Sequence, residues 1–321
     1  MRLAIKVFAV LLVAGTAVAQ KEEPFEVAVI SHSEQFPLGV LLEVSVEARN
    51  VSGRPVTVAF GKPPLYLEVV DDAGRSVEQC PELKMFEYRG AKILEVPATW
   101  KWRENLLMCV RVPGSYEARV VMRSSWVDPQ PRVEGPQPWL GTVVSRTFTF
   151  HVIEPEGVDR EAYDAFGGNP LPIMDREGIK GQLLRRFPTS TYAAYVVWQY
   201  GAKGIVSMRM EDLVSYAAGG TCLLGNSVPD ATGSWRSYSG EAFLQWRDGW
   251  FDLILKDHQQ IWFGDELRFV STLDRYLLGD KDSCAAGLEE LAEHGKPYVA
   301  SKAGELLSAM KAKGMLEEKD K

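Results

Sequence analysis

The stretch Arg186-Phe187-Pro188-Thr189-Ser190-Thr191-Tyr192-Ala193-Ala194-Tyr195 divides two helices in the second half of the chain. Pro188 predicts the end of the first helix, because proline restricts the residue before it and has no backbone N–H to donate. Ser190 is a favourable N-cap for the second helix, in which Tyr192 and Tyr195 recur at helical spacing. The second half of the chain is therefore predicted to fold as helix pairs.

The first half of the chain alternates apolar and polar residues, which is typical of strands with one buried face. The clearest run is 42–49, and similar runs occupy 25–29, 56–60, 65–69, 116–122 and 142–152. We interpret Asn50-Val51-Ser52 as a turn between strands, although it has the spacing of a glycosylation sequon. Roughly seven short strands separated by turns predict a β-sandwich.

Three segments of this first half resemble immunoglobulin-like domains of bacterial exported proteins: Val44–Phe60, Leu67–Gly74 and Gly114–Ala118. They are also similar, more loosely, to the intracellular proteinase inhibitor family of bacilli. The matching residues belong to the scaffold and not to an inhibitory loop, so the resemblance implies an immunoglobulin-like fold only. Tyr116 follows a Pro-Gly turn and resembles the tyrosine corner of such domains, with an ordinary half-buried strand tyrosine as the alternative.

The helix junction at Pro188 resembles those of tetratricopeptide-like helix pairs in exported bacterial proteins. A second helix–Pro-Tyr-x-Ala–helix pattern follows at Lys296-Pro297-Tyr298-Val299-Ala300. Tetratricopeptide units repeat every ~34 residues, whereas these junctions lie roughly 110 residues apart (188 to 297). The resemblance therefore implies a degenerate array of helical hairpins.

These patterns predict a two-domain chain, all-β followed by all-α. Residues 1–19 form a signal peptide, 20–155 an immunoglobulin-like sandwich and 156–321 a tetratricopeptide-like domain. The signal peptide is inferred from a basic start, a short apolar run at Val7–Ala14 and small residues before a cleavage site near Ala19. We expect a periplasmic or secreted protein without a transmembrane segment.

Four cysteines, Cys80, Cys109, Cys222 and Cys284, permit two disulfides in an exported chain. Two of them fall in each proposed domain, so 80–109 and 222–284 are the simplest pairs. Other pairings stay open.

The sequence contains no phosphate-binding loop, dinucleotide fingerprint, zinc motif or serine-hydrolase elbow, so we expect no cofactor. A net charge of −7 argues against a nucleic-acid partner. Cys222 with His258 or His294 as base is a conceivable nucleophile, although a disulfide half or a buried thiol is the favoured interpretation. The carboxylates of Asp257, Asp265 and Glu266 are conceivable acid–base groups, although a solvated helix face is favoured for them.

Aromatic residues cluster within 235–263 of the second domain, where Trp235, Trp246, Trp250 and Trp262 are candidate partner-binding residues. Core packing between helices is the alternative. In the first domain, the proline-rich segment Trp126–Leu140 is predicted to be a long loop that serves as a rigid cover or a recognition loop.

Both predicted architectures are used mainly to bind other proteins, so we expect a non-catalytic interaction or scaffold protein of the cell envelope with a protein partner. A proteinase inhibitor acting through a sandwich loop is the first alternative. An unrecognised hydrolase is the second.

Overall fold

The computed structural model describes residues 23–60, 65–77, 92–125, 137–168, 178–219, 226–229, 235–238, 240–258 and 261–316. The predicted signal peptide at 1–19 lies outside these residues. Strands β1–β10 precede helices α1–α9 in the chain, and a further pair of strands, β11 and β12, lies between α5 and α6. We call strands β1–β10 the β domain and helices α1–α9 the helical domain.

The β domain contains two larger sheets that pack together through β1, β5, β7, β8 and β9. One sheet has the order β1-β3-β7, and the other has the order β2-β10-β8-β5 with β9 beside β8. Strands β4 and β6 form a separate pair. The bounds are β1 Phe25–His32, β2 Gln35–Pro37, β3 Leu42–Asn50, β4 Val56–Phe60, β5 Leu65–Asp71, β6 Lys92–Val96, β7 Lys101–Met108, β8 Gly114–Ser124, β9 Gly141–Val144 and β10 Phe148–Ile153.

Strand β3 carries the alternation that the sequence predicts. Its side chains at Leu42, Val44, Val46 and Ala48 are buried, whereas those between them are half-buried or exposed. Strand β8 buries Ala118, Val120 and Met122 in the same way. Because each strand presents one apolar face, the two sheets enclose the core between them.

Asn50 is a turn residue, as predicted. Its side-chain N–H groups point at the carbonyl oxygens of Arg54 (2.8 Å), Pro97 (3.1 Å) and Val96 (3.4 Å). Its Oδ1 accepts a hydrogen bond from the backbone N–H of Ser52 at 3.0 Å. The side chain is thus buried and fully engaged inside the protein.

Tyr116 makes the contact of a tyrosine corner. Its hydroxyl donates a 2.6 Å hydrogen bond to the carbonyl oxygen of Val112, four residues upstream, and its ring is buried. The ring also stacks on Phe150 of β10 at a centroid distance of 5.3 Å. Of the two interpretations from sequence, the corner is confirmed.

The prediction of one continuous strand at 142–152 is wrong, because the structure has two strands there, β9 and β10. Between them Ser145 bonds both backbone groups of Val120: its N–H donates to the carbonyl at 2.9 Å, and its Oγ accepts from the amide at 2.9 Å. A buried serine that bonds backbone in this way competes with regular strand pairing. Alternation alone does not reveal such a break.

The helical domain begins with α1 and ends with α9. Ser190 caps α3 as predicted, because its Oγ accepts a hydrogen bond from the amide of Ala193 at 3.1 Å. Helix α9 begins at Pro297, which confirms the second junction. The bounds are α1 Gly157–Ala165, α2 Ile179–Arg186, α3 Thr191–Gly201, α4 Lys203–Val206, α5 Met210–Ala217, α6 Glu241–Asp257, α7 Gly264–Leu277, α8 Lys281–His294 and α9 Pro297–Ala312.

The prediction of an all-α second domain is also wrong. Strands β11 (Asn226–Pro229) and β12 (Trp235–Tyr238) form an antiparallel pair between α5 and α6. The first of them lies inside the stretch 219–233 that reads as a loop. Four-residue strands are too short to show alternation, which is the signal that sequence reasoning uses.

The two domains share one continuous apolar core. Tyr192 of α3 is buried, and its hydroxyl donates a 2.5 Å hydrogen bond to the carbonyl oxygen of Leu38 in the β domain. Asp159 connects α1 to α3, because its carboxylate accepts 2.6 Å hydrogen bonds from the amide and the hydroxyl of Thr191. The helix junction that the sequence singled out therefore lies at the domain interface.

The structure contradicts one of the two predicted disulfides, the pair 222–284. Cys284 of α8 is a free, buried thiol, and burial raises its pKa to about 12, so it does not pair with Cys222. Cys109 is buried and disulfide-bonded. Cys80 and Cys222 lie outside the described residues, so the pair 80–109 stays a prediction.

Helices that could cross a membrane are not found in the part of the chain that the structure describes, since none of them is both long and apolar enough.

Candidate functional site

A cleft of about 1080 Å³ opens between the two domains. Its β-domain wall is the short edge strand β2 together with the end of β10. Its helical wall comes from the starts of α1, α3 and α9, the end of α6 and the turn before α7. The cleft therefore exists only because the domains are packed together.

Besides the buried Phe36, two aromatic residues, Trp262 and Tyr298, line this cleft. Both are half-buried. Trp262 packs edge-on against Phe263 at a centroid distance of 4.8 Å and lies 6.4 Å from the ring of Tyr195. Trp262 is thus held by the core on one side and faces the cleft on the other.

Carboxylates outnumber cations along the cleft. Its acidic residues are Glu34, Glu154, Glu156, Asp159 and Asp257, and its basic residues are Lys256 and Lys296. Glu154 is already paired with Arg160 at 2.5 Å, and Asp159 is bonded to Thr191. Glu34, Glu156 and Asp257 are exposed. The rim is therefore acidic.

A second cavity, of about 580 Å³, adjoins the first and shares Ile30, Trp262, Lys296 and Tyr298 with it. It lies between β3 of the β domain and helices α3, α4, α7 and α9 of the helical domain. We call the two neighbouring cavities together the interdomain cleft; Trp262 and Tyr298 line both of them.

Charged side chains from both domains meet in this second cavity. The ammonium of Lys203 lies 2.6 Å from Oε2 of Glu43 and 5.5 Å from the ring centroid of Trp198. That oxygen accepts no hydrogen bond of regular geometry in the described structure, so the contact is chiefly Coulombic. The indole N–H of Trp198 donates to the carboxylate of Glu266 on α7.

The pKa of the Glu266 carboxyl group, in this second cavity, is displaced from its ordinary value. Burial raises its pKa to about 7, and the negative charge of Glu43 acts in the same direction. The hydrogen bond from Trp198 and the positive charges of Lys296 and Lys203 oppose this rise. Glu266 therefore changes charge near neutral pH.

The four candidate tryptophans occupy different places. Trp262 lines the cleft, whereas Trp246 and Trp250 are half-buried on α6 and pack against the core. Trp246 stacks on Phe243 at a centroid distance of 5.8 Å. Trp235 belongs to β12, and its side chain lies outside the described residues. Of the three tryptophans whose side chains are described, the structure thus brings Trp262 to the cleft.

The conceivable catalytic residues within the described part of the chain are divided between the two cavities and the surface of α8. Asp257 lines the larger cavity, whereas Asp265 and Glu266 line the smaller one. His258 Nε2 lies 2.8 Å from the carbonyl oxygen of Thr189, and His294 is exposed on α8. Cys222 lies outside the described residues. Within the described chain, no group of three or more His, Cys, Asp or Glu side chains is placed to hold a metal ion.

Sequence reasoning missed Glu43, Lys203 and Tyr298 as cleft residues. Glu43 has the position of a solvent-facing residue in the alternation of β3, and Lys203 follows the end of a helix. The helical domain covers that face of β3, and neither of these local patterns predicts this tertiary contact.

Comparisons with known proteins find only weak likenesses. No protein-family model and no curated protein matches this sequence. A CARDB domain from Pyrococcus furiosus, solved in complex with di-metal ions, matches 41% of this chain and 94% of its own, at 13% identity and a TM-score of 0.24. A β-glucosidase from Listeria innocua in complex with glucose matches at 15% identity and a TM-score of 0.24. It covers 40% of this chain, which spans only 16% of the enzyme. Such low TM-scores carry no argument about fold or activity.

Proposed function

We propose that this chain is a non-catalytic binding protein that holds a segment of a partner protein in the interdomain cleft. The observation that carries the proposal is the cleft itself, with Trp262 and Tyr298 lining both of its cavities. Half-exposed tryptophan and tyrosine supply large contact areas with little side-chain entropy to lose, and they dominate many protein interfaces.

The acidic rim supports a partner segment with basic side chains. Five carboxylates and two lysines line the larger cavity, so a Lys- or Arg-bearing segment complements its charge. Lys and Arg side chains also bind favourably over the faces of tryptophan and tyrosine rings. The open shape of the cleft suits an extended segment.

We propose in addition that the β domain is immunoglobulin-like and the helical domain is a degenerate tetratricopeptide-like array. The tyrosine corner at Tyr116 supports the first assignment, and the junctions at Ser190 and Pro297 support the second. Both architectures commonly bind proteins, which agrees with the proposed role. Export to the periplasm or the medium, predicted from residues 1–19, is part of the same proposal.

The alternatives from sequence have less support. The predicted inhibitory loop Trp126–Leu140 is described only from residue 137, where Trp139 packs on Phe25 at a centroid distance of 5.3 Å. The hydrolase alternative depends on Cys222, which lies outside the described residues, or on three carboxylates, of which Asp257 lines the larger cavity and Asp265 and Glu266 line the smaller one.

Affinity capture from a native extract tests the proposed function. The baits are the wild-type chain and the double variant Glu156→Gln/Asp257→Asn, which removes two exposed rim charges without changing the core. We expect the wild-type chain to capture a partner and the double variant to recover at least roughly fivefold less of it. This difference should become smaller at high salt, because salt screens the rim charges.

A matched control is Glu289→Gln/Glu290→Gln, which removes two exposed charges from α8, outside the cleft. Trp262→Ala is a second cleft variant, checked for folding by circular dichroism. Equal recovery on all four baits would contradict the proposal, because the partner would then bind elsewhere.

A further inference from the structure

Strand β2 lies at the end of its sheet and along the larger cavity. Within the part of the chain that the structure describes, β2 pairs with β10 and with no other strand. We call the edge of β2 away from β10 the outer edge. Gln35 and Pro37 on one face of β2 and Phe36 on the other face all line the larger cavity. Because residues of both faces line it, we infer that the outer edge points into the cavity.

The register of β2 with β10 decides which backbone groups reach the outer edge. The carbonyl oxygen of Glu34 accepts from the amide of His151 at 2.9 Å or less, namely 2.7 Å, and the amide of Leu38 donates to the carbonyl oxygen of Ile153 at 2.9 Å. Successive residues of a strand direct their backbone groups to opposite edges, so alternate residues bond β10. The N–H and the C=O of Gln35 therefore point to the outer edge, and Gln35 is exposed.

The strand that carries this edge is firmly held. The ring of Phe36 is buried and stacks on Phe150 of β10 at a centroid distance of 5.6 Å. Pro37 has no N–H to offer, and its carbonyl oxygen already accepts from the amide of Val40 at 3.2 Å. The outer edge therefore ends at Pro37, and Gln35 is the residue of β2 that can bond a further strand. So short an edge is poorly suited to pairing with a second copy of itself.

The charges around the outer edge favour a basic occupant. Glu34, which precedes β2, is exposed, as are Glu156 and Asp257 of the same cavity. The larger cavity has five carboxylates against two lysines, and one of these, Lys296, donates to the carbonyl oxygen of Trp262. When a strand is added to a sheet edge, main-chain hydrogen bonds hold it and its side chains provide the selectivity. Here the acidic rim selects lysine or arginine side chains.

We propose that an extended, basic segment of the partner protein adds to the outer edge of β2 as a further strand and exchanges main-chain hydrogen bonds with Gln35. This inference rests on the proposed function and names the way in which the cleft holds its partner. The lysine or arginine side chains of the segment lie among the rim carboxylates. Trp262 and Tyr298 contribute aromatic contacts from the helical wall.

Amide hydrogen exchange, read at single residues by NMR on the isotope-labelled full chain, tests the proposal. In the chain alone, we expect the amide of Gln35 to exchange at nearly its intrinsic rate, whereas the amide of Phe36, which faces β10, is protected. The probe is the peptide acetyl-Lys-Thr-Lys-Thr-Lys-Thr-amide. At saturation it should slow the exchange of the Gln35 amide by about tenfold or more. The same peptide with Glu in place of Lys is the matched control and should not slow it.

Two variants separate the backbone of Gln35 from its side chain. Gln35→Pro removes the N–H from the outer edge, and the pairing of β2 with β10 does not use this group, so the fold is kept. Gln35→Ala removes the side chain and keeps the N–H. We expect the affinity for the Lys-Thr peptide, measured by NMR titration, to be about tenfold lower in Gln35→Pro than in Gln35→Ala. Circular dichroism checks the folding of both, and the exchange measurement on the unaltered chain does not depend on either.

The outcomes distinguish the binding mode from the proposed function. A protected Gln35 amide in the chain alone would overturn strand addition, because the outer edge would already be covered. Peptide binding that weakens in Glu156→Gln/Asp257→Asn but leaves the Gln35 amide unprotected would overturn strand addition and support the proposed function. Equal affinities of Gln35→Pro and Gln35→Ala would have the same meaning. Failure of the Lys-Thr peptide to bind at all would contradict both.

Discussion

At the scale of single residues, one buried ion pair of the helical domain has a structural role. Arg247 of α6 and Asp274 of α7 are 1% and 0% exposed, and Arg247 donates to both oxygens of the Asp274 carboxylate. The same guanidinium bonds the carbonyl oxygen of Gly201 at 3.1 Å and the hydroxyl of Tyr216 at 2.8 Å. Each charge is therefore satisfied by fixed partners.

Breaking this pair should destabilise the fold strongly. Asp274→Asn leaves the Arg247 guanidinium buried without its counter-charge, so we expect the free energy of unfolding to fall by roughly 3–5 kcal/mol. Arg268→Met breaks a more exposed pair on the same helix and should cost about 0–1 kcal/mol. Urea denaturation followed by circular dichroism measures both. Similar losses in the two variants would show that burial does not set the importance of the Arg247–Asp274 pair.

Single residues also show the limit of sequence reasoning. Asn50 and Tyr116 were interpreted correctly because one characteristic hydrogen bond of each, from Ser52 to Asn50 and from Tyr116 to Val112, lies within a few residues along the chain. Glu43 and Lys203 meet across a domain interface, and no local pattern relates two residues so distant in sequence. Local chemistry was therefore predictable, whereas the charged cluster of the cleft was not.

At the scale of elements, the predicted helices agree well with the structure where their apolar spacing is regular. The apolar spacing of Glu241–Asp257 predicts an amphipathic helix with the bounds that α6 has, and α3 begins where Ser190 predicted. The short elements were missed, among them β2, β6 and the hairpin of β11 and β12. Elements of three to five residues are formed by their neighbours more than by their own pattern, which explains the misses.

The cap at Ser190 provides a test at this scale. Ser190 is fully buried, accepts from the amide of Ala193 and donates to the carbonyl oxygen of Phe187 at 2.8 Å. Ser190→Ala leaves both groups without this partner, so we expect a loss of roughly 1–2 kcal/mol in the free energy of unfolding.

Ser308→Ala is the matched control for this measurement. Ser308 is exposed in the interior of α9, and its hydroxyl donates to the carbonyl oxygen of Gly304. Its replacement should change the free energy of unfolding by less than about 0.5 kcal/mol. If Ser190→Ala proves as mild as the control, the junction depends on Pro188 and on apolar packing more than on the cap.

At the scale of the whole molecule, the interdomain cleft is the feature from which the proposed function follows. Its walls come from both domains, so neither half contains it alone. The shared core and the hydrogen bond from Tyr192 to Leu38 fix the position of one wall relative to the other. A partner segment in the cleft would contact both domains at once, which would make its binding sensitive to their packing.

Site-specific photo-cross-linking in a native extract tests this claim most directly. The photoreactive residue is placed at Ile153 on the cleft, and at Leu278 and Val51 away from it; these three side chains are 46%, 47% and 48% exposed. Our account predicts a covalent adduct with a partner polypeptide from Ile153 alone, reduced in the Glu156→Gln/Asp257→Asn background. Adducts of equal yield from Leu278 or Val51, or an Ile153 adduct that those substitutions leave unchanged, would contradict it.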